Sequence, residues 1–404
     1  MDVLVIGAGA SGLMAAITAA KNGAKVTLLE KGAKAGRKLA ITGNGRCNLT
    51  NTKIDEESFR GEHPDFAFGA FGQFDVQDTV RFFSSIGIYT KNRDHGLYPY
   101  SDQAPQVVQL LMEEAQRRKV KCKCSTEITK LEKKDGRFLA HTDGWTYEAD
   151  ACILACGSKA APETGADGSG YDLAAGFGHT MVPVLPALTG LKAEKSRYPK
   201  LAGLRCDGRV TVRCGDVCTS SRGELQFTSY GISGIPTFQV SHQAVRCWAE
   251  GKPVELSVNF LPDFTEAQQR AFLDARLQQA PDRSAGSFLA GLFHQKLIEV
   301  LLLEAGIKTG TAMAAVPAEK KVKLYGLIQA MPAKMTGYMD FSHAQVCSGG
   351  VSTEEIDRET MESRLVPGLY FAGELVDIDG ACGGYNLQWA WSSGHCAGLH
   401  AVTK

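Results

Sequence analysis

The chain opens with a short unbroken apolar run, Val3-Leu4-Val5-Ile6, the pattern of a strand buried on both faces. After a glycine-rich break, Leu13, Met14, Ala16, Ile17 and Ala20 recur at helical spacing, and Ala24 to Leu29 reads as a second strand. From about 54 to 121 the pattern predicts mainly helix. Val76, Val80, Phe83 and Gly87 share one face there, and Val107, Leu110, Leu111 and Ala115 another. Short alternating runs over 121–151 predict a β-meander, and Ala149 to Cys156 an apolar strand. Between about 186 and 334, strand-like segments (Arg209 to Arg213, Val254 to Val258) give way to helical periods at 265–279, 292–304 and 320–330. A final strand over 367–372 precedes an amphipathic helix with Leu387, Trp391, Gly394, Gly398 and Ala401 on one face. No repeat or low-complexity linker interrupts this order.

The break after the first strand carries the first chemistry. Gly7-Ala8-Gly9-Ala10-Ser11-Gly12 lies between strand and helix, and Glu30 ends the second strand eighteen residues after Gly12. Gly7 permits the tight turn, Gly9 lets backbone approach a pyrophosphate, and Gly12 lets helix and strand pack closely. The helix start at Ala10 and Ser11 offers free N–H groups and a positive dipole end to phosphate. Glu30 accepts hydrogen bonds from ribose hydroxyls and repels a 2′-phosphate. The pattern predicts a bound dinucleotide.

Later segments specify which one. Gly36-Arg37, just beyond the second strand, resembles a feature of the glutathione-reductase superfamily of flavoproteins, and the resemblance implies that Arg37 approaches the pyrophosphate. Lys31 and Lys38 are assigned to the cofactor with it. The loop Thr42-Gly43-Asn44-Gly45 can bring backbone N–H groups and the Asn44 amide to a flavin ring or ribityl chain. Ala155 and Gly157 match the strand-then-glycine of those flavoproteins, and Glu127-Ile128 the adenine-side backbone contact. At Gly373-Glu374 most relatives have Gly-Asp, so Asp379 is a second candidate for the ribityl contact. Gly383-Gly384-Tyr385-Asn386 opens the last helix, whose N-terminus is expected to face the flavin's pyrimidine edge.

The strings Gly36 to Asn48, Phe371-Ala372-Gly373-Glu374, Asp379-Gly380 and Gly383 to Trp391 together resemble a bacterial family of FAD-dependent oxidoreductases. That family includes aminoacetone-oxidase-like flavoproteins and the bile-acid Δ4,6-reductases of gut bacteria. Further matches lie at Asp167 to Tyr171, Arg222 to Leu225 and Phe227 to Gly234; Ser229 and Ile235 depart from many members, outside the FAD motifs. The implied fold is α/β: a discontinuous Rossmann-like, glutathione-reductase-like FAD-binding domain with an inserted β-barrel-like plus helical region. The expected boundaries are 1–185 with 335–404 for FAD, 186–262 with 306–334 for the β-rich insert, and 263–305 for the helical insert. The insert is read as the cover over the flavin's substrate face.

Composition narrows the picture further. The 404 residues balance 44 Lys+Arg against 44 Asp+Glu, which weighs against a protein that coats nucleic acid or anionic membrane. The one local basic run, Arg117 to Lys123, reads as a solvated helix end. The 44 glycines exceed the usual ~7%, and eleven of them (7, 9, 12, 36, 43, 45, 157, 373, 380, 383 and 384) fall in segments expected to approach one long cofactor. The twelve cysteines show neither zinc spacing nor a disulfide framework, so no metal and a reducing, cytoplasmic setting are expected. Cys47 reads as a buried spectator. No run suits a membrane span.

A second GxGxxG is missing, so NAD(P)H is expected as a transient electron donor that docks and leaves, giving ping-pong kinetics. Tyr385, Tyr230, His95 and Tyr98 are candidate acids, with Tyr385 first because it sits in the expected flavin-side loop. The leading expectation is a reductase of an activated C=C bond, such as a steroid or bile-acid-like enone. The alternatives are an amine oxidase that releases peroxide and an RNA-associated flavoprotein. The substrate is a small molecule in the first two readings, and the oligomeric state stays open.

Overall fold

The computed structural model describes residues 1–194 and 197–403, which form two compact units: Met1–Pro186 with Gln345–Lys404, and Ala187–Ala344. The first unit is built on a five-stranded parallel sheet. Its order is Leu369–Phe371, Ala151–Leu154, Asp2–Ile6, Lys25–Leu29 and Lys121–Lys123. The N-terminal strand is central, with Val5 opposite Ile153 on one side and Leu28 on the other. Its Val3, Leu4 and Val5 are almost wholly buried, as an unbroken apolar strand requires.

Two helices from opposite ends of the chain cross tightly beside this sheet. A Cβ at Gly394 or Gly398 of the last helix (Tyr385–His400) would stand 2.4 Å from the carbonyl oxygen of Ser11 or Ala15 in the first (Ala10–Lys21). No other residue type lets the two backbones approach so closely. The last helix is buried almost all round, Gln388 to Ser393 included, rather than amphipathic as the sequence suggested. Its polar residues are satisfied internally: the Gln388 amide oxygen accepts from the hydroxyls of Thr50 at 2.6 Å and Thr79 at 3.0 Å.

Mainly helix was expected over 54–121, and this needs correcting. The helices Val76–Ser85 and Ala104–Arg117 are present, but Thr50–Asn51, Gly96–Pro99 and Thr90–Arg93 form a small antiparallel sheet. Phe59–Arg60 pairs with Asp379–Gly380. These strands are too short to show a period of two, and Thr50–Asn51 and Phe59–Arg60 pair with segments far away in sequence. Gly87 falls beyond its helix and is exposed. The meander is formed by Lys130–Lys134, Arg137–His141 and Thr146–Ala149.

The second unit contains a closed six-stranded antiparallel barrel, in the order Leu191–Ala193, Gly231–Ser233, Val217–Phe227, Arg205–Cys214, Glu255–Asn259 and Met331–Tyr338. The long hairpin turns on Gly215-Asp216, with Cys214 opposite Val217 and inward Gly208, Val210 and Val212 alternating with outward residues. Helices Ile235–Ala249, Glu266–Gln279, Gln295–Ala305 and Ala318–Gln329 complete the unit. A disulfide joins Cys214 to Cys247, with Cα atoms 6.5 Å apart. No disulfide framework was expected, and this single bond joins partners 33 residues apart that only the hairpin and helix bring together. Among the described residues no helix is long and apolar enough to cross a membrane.

Candidate functional site

The glycine loop Gly7 to Gly12 closes on the carboxyl ends of the central strands. Gly7 has φ +102°, and a Cβ there would meet the Ala155 carbonyl oxygen at 2.3 Å; one at Gly12 would lie 1.8 Å from the Gly7 oxygen. Gly9 is different. A Cβ at this position meets nothing within 4 Å, so its absence leaves open space in front of the helix. That helix starts without a side-chain cap, leaving the first N–H groups at Ala10 and Ser11 for whatever occupies that space. Glu30 sits beside it, its Oε2 accepting from Ala8 N at 2.8 Å and its Oε1 from Gly32 N at 2.7 Å. Each oxygen keeps a lone pair for a further donor.

Lys31 points toward two carboxylates, 2.6 Å from both Glu127 and Asp167. Burial works to raise the Asp167 carboxyl, but Lys31 and Ser169 outweigh it and hold it down to about 2. Arg37 donates to the Glu163 carbonyl. Segment 163–167 is thereby tied to the residues after the second strand, next to Ile128, which packs on the core. Gly157 has φ +73° and only Ala166 at 4.0 Å near its missing Cβ.

Lys38 and Glu374 form a part-buried ion pair at 2.7 Å, and the other Glu374 oxygen accepts from Cys347 N at 2.9 Å. The longer Glu side chain thus reaches across to the helix Arg37–Gly45. Asp379 is buried on the strand opposite Arg60. Gly373 is held by the last helix, its N–H donating to Ser393 Oγ at 2.9 Å, and a Cβ there would strike Ser11 Oγ at 2.5 Å. The expected loop at Thr42 to Gly45 is a kink within that helix: Thr42 is extended, Gly43 and Asn44 are left-handed, and Asn44 is exposed. Thr42 Oγ1 donates to the Leu39 carbonyl at 2.7 Å, and nothing lies within 4 Å of a Cβ at Gly45. Burial pushes the Cys47 thiol up to about 12, with Thr42 opposing, so it stays protonated.

At the start of the last helix, Gly384 (φ +98°) packs on the Thr50 carbonyl, where a Cβ would lie 2.7 Å away. Asn386 folds its side chain back, accepting from Gly380 N and donating to Gly380 O, both at 2.8 Å. The Tyr385 ring packs edge-on against Phe59, centroids 6.2 Å apart. Sequence reasoning overlooked Asn48, whose side chain would meet Cβ atoms at both Gly96 and Gly384 within 2.9 Å, and whose buried Oδ1 has no partner. No spacing rule could have found it, because these neighbours come from two distant segments. Elsewhere, Arg117 and Arg118 both pair with Glu114, as befits a solvated helix end.

A family model described as the HI0933-like protein Rossmann domain matches residues 1–400. The chain belongs to the HI0933-like family. It is a family of FAD-binding Rossmann-domain oxidoreductases. The chain is 43% identical to a 3-dehydro-bile acid delta(4,6)-reductase of Clostridium scindens, over 99% of this chain and 98% of that protein. It is 31% identical to a ribosomal RNA dihydrouridine synthase of Escherichia coli, over 97% of this chain and 96% of that one. Among solved structures it is similar to an open flavocytochrome c3 fumarate reductase, with TM-score 0.49 and 16% identity, covering 99% of this chain and 78% of that chain.

The residues present fit FAD. The uncapped first helix and the void at Gly9 suit a pyrophosphate, Glu30 suits a ribose, and the backbone at Gly45 and Gly157 is open as well. Most of the other glycines assigned to the cofactor, among them Gly7, Gly12, Gly36, Gly373 and Gly384, are required by contact with protein: a Cβ at each would strike a neighbour within 2.7 Å.

Proposed function

We propose that this protein is an FAD-dependent reductase of a C=C bond conjugated to a carbonyl, with a 3-oxo steroid or bile-acid-like substrate and a dihydronicotinamide donor. The observation that carries this reading is the 43% identity to the bile-acid Δ4,6-reductase along the full length of both chains. A dihydrouridine synthase also saturates a C=C bond next to a carbonyl, so the names of both relatives describe one bond chemistry on different substrates.

When bound, FAD supplies the hydride. The chain's residues do the rest. The N–H groups of Ala10 and Ser11 and the Arg37 guanidinium hold the pyrophosphate, and Glu30 the adenosine ribose. Lys38 neutralises Glu374, and the N-terminus of the last helix, which Gly384 precedes, would favour negative charge on the reduced ring. With a single dinucleotide fingerprint in the chain, the nicotinamide donor docks transiently and departs before substrate enters.

Anaerobic mixing of the holoenzyme with NADH or NADPH should bleach the flavin, and steady-state kinetics with an enone should be ping-pong. Bleaching by a primary amine and by neither nucleotide would instead establish the amine-oxidase alternative. An RNA-linked substrate is the second reading, favoured by the dihydrouridine synthases at 31% and 30% identity and by the balance of 19 Lys+Arg to 14 Asp+Glu in Ala187–Ala344. Salt-dependent retention on ribosomal RNA would support it.

A further inference from the structure

Three distant segments meet around one side chain, Tyr98. They are the kink at Thr42 to Asn44, the strand Gly96–Pro99 and the loop 381–384. The ring lies 3.7 Å from the position of a Cβ at Gly43 and 3.0 Å from one at Gly96. The Arg93 guanidinium stands 5.7 Å over its centroid. The Arg46 guanidinium, the Cys382 thiol and Asp102 act on its phenol electrostatically, and Lys91 is its cross-strand partner. Asn48 fills the space between Gly96 and Gly384 behind it. The ring is half-buried, yet its hydroxyl makes no hydrogen bond among the described residues. A donor held by its ring but uncommitted at its O–H is what a general acid requires.

The other candidates are placed differently. Tyr385 packs on the hydrophobic core and against Phe59. His95 is exposed at the tip of a hairpin, and Tyr230 packs against Gly190 in the barrel unit.

We propose that Tyr98, rather than Tyr385, is the catalytic acid, hydrogen-bonded to the substrate carbonyl. The inference rests on the reductase reading above. Hydride from the cofactor, itself reduced by a dihydronicotinamide, forms a C–H bond at the electrophilic alkene carbon. The π pair shifts through the conjugated system onto the carbonyl oxygen. There the Tyr98 O–H breaks and an enol O–H forms; the enol tautomerises in water to the carbonyl compound with one C=C bond fewer, and solvent returns a proton to the phenolate. Burial and Cys382 raise the phenol while Arg93 and Arg46 lower it; the net shift is upward, so the proton is in place at neutral pH.

The test uses holoenzyme with Tyr98→Phe or Tyr385→Phe and a 3-oxo-4,6-diene steroid as probe. Binding to the oxidised wild type should move the dienone absorbance band to longer wavelength, because the phenol donates to the carbonyl. The shift should vanish in Tyr98→Phe and persist in Tyr385→Phe. After anaerobic reduction with dithionite, reoxidation by the dienone should slow on the order of 100-fold in Tyr98→Phe, the general-acid range, and only a few-fold in Tyr385→Phe. If Tyr98→Phe fails to fold, 3,5-difluorotyrosine at position 98 keeps the ring and should move the alkaline limb of the rate to lower pH. An unchanged band shift and rate in Tyr98→Phe, or an unmoved limb in the fluorinated protein, overturns the assignment to Tyr98 alone. A wild type that neither shifts the band nor is reoxidised by the dienone overturns the steroid-reductase reading and the acid role with it.

Discussion

The first helix presents two contrasting surfaces within four turns. At its N-terminal mouth, Gly9 faces open space. Along its flank, the carbonyls of Ser11 and Ala15 press against Gly394 and Gly398 at distances that exclude a side chain. Both surfaces are written with glycine, but for opposite reasons: the mouth keeps backbone accessible to a ligand, and the flank keeps two backbones in contact with each other. The difference teaches that a glycine in a dinucleotide fingerprint says nothing about which partner it faces until its surroundings are known.

Substitution should separate the two. The largest effect is expected on the flank. Gly394→Leu places a branched side chain against the Ser11 carbonyl and should cost more than about 4 kcal/mol, abolishing a cooperative melt; overpacking of this kind admits little relaxation. A variant that melts near the wild-type temperature would show that the helices can separate without penalty. At the mouth, Gly9→Val should leave the chain folded but colourless, with FAD affinity down at least on the order of 100-fold, about 2.7 kcal/mol. A yellow purified protein would refute this. Glu30→Ala should weaken FAD by roughly 1–3 kcal/mol through lost charged hydrogen bonds, measured by fluorescence titration of apoprotein. Unchanged affinity would remove Glu30 as a ribose ligand.

The smallest effect is a pH dependence confined to the flank. His395 stacks on Phe74 with centroids 4.4 Å apart and meets Thr18 of the first helix at 3.3 Å, and burial pushes its imidazole down to about 4. The unfolded chain, with an ordinary pKa near 6.5, binds the proton more readily than the folded one. Stability is therefore complete above about pH 6.5 and is lost as pH falls toward 4. Between pH 7 and 5 the loss should be about 1–2 kcal/mol in urea titrations, and His395→Gln should flatten it. An equal slope in both proteins would assign the acid sensitivity to other groups.

Local signals made the cofactor end legible. The apolar strand, the fingerprint and Glu30 lie within thirty consecutive residues, where turn, helix start and strand end impose fixed spacings. One strand of the barrel's long hairpin was legible for the same reason, from the strand-like run Arg209 to Arg213, but its partner Val217–Phe227 was not. The short strands between 50 and 99 were not, because two to four residues cannot establish a period and Thr50–Asn51 finds its partner in a distant segment. Glu374 shows an intermediate case: its departure from the usual Asp was visible, but its ion pair with Lys38 was not, since 336 residues separate the two.

Local periodicity and spacing along the sequence determined an α/β chain with one dinucleotide fingerprint, and the resemblance of its later motifs implied a flavoprotein split by a large insert. Only the tertiary structure decided which glycines meet protein and which meet open space, that Cys214 and Cys247 are joined, and which segments surround Tyr98. These are properties of packing between residues far apart in sequence, and spacing along the chain carries no record of such contacts.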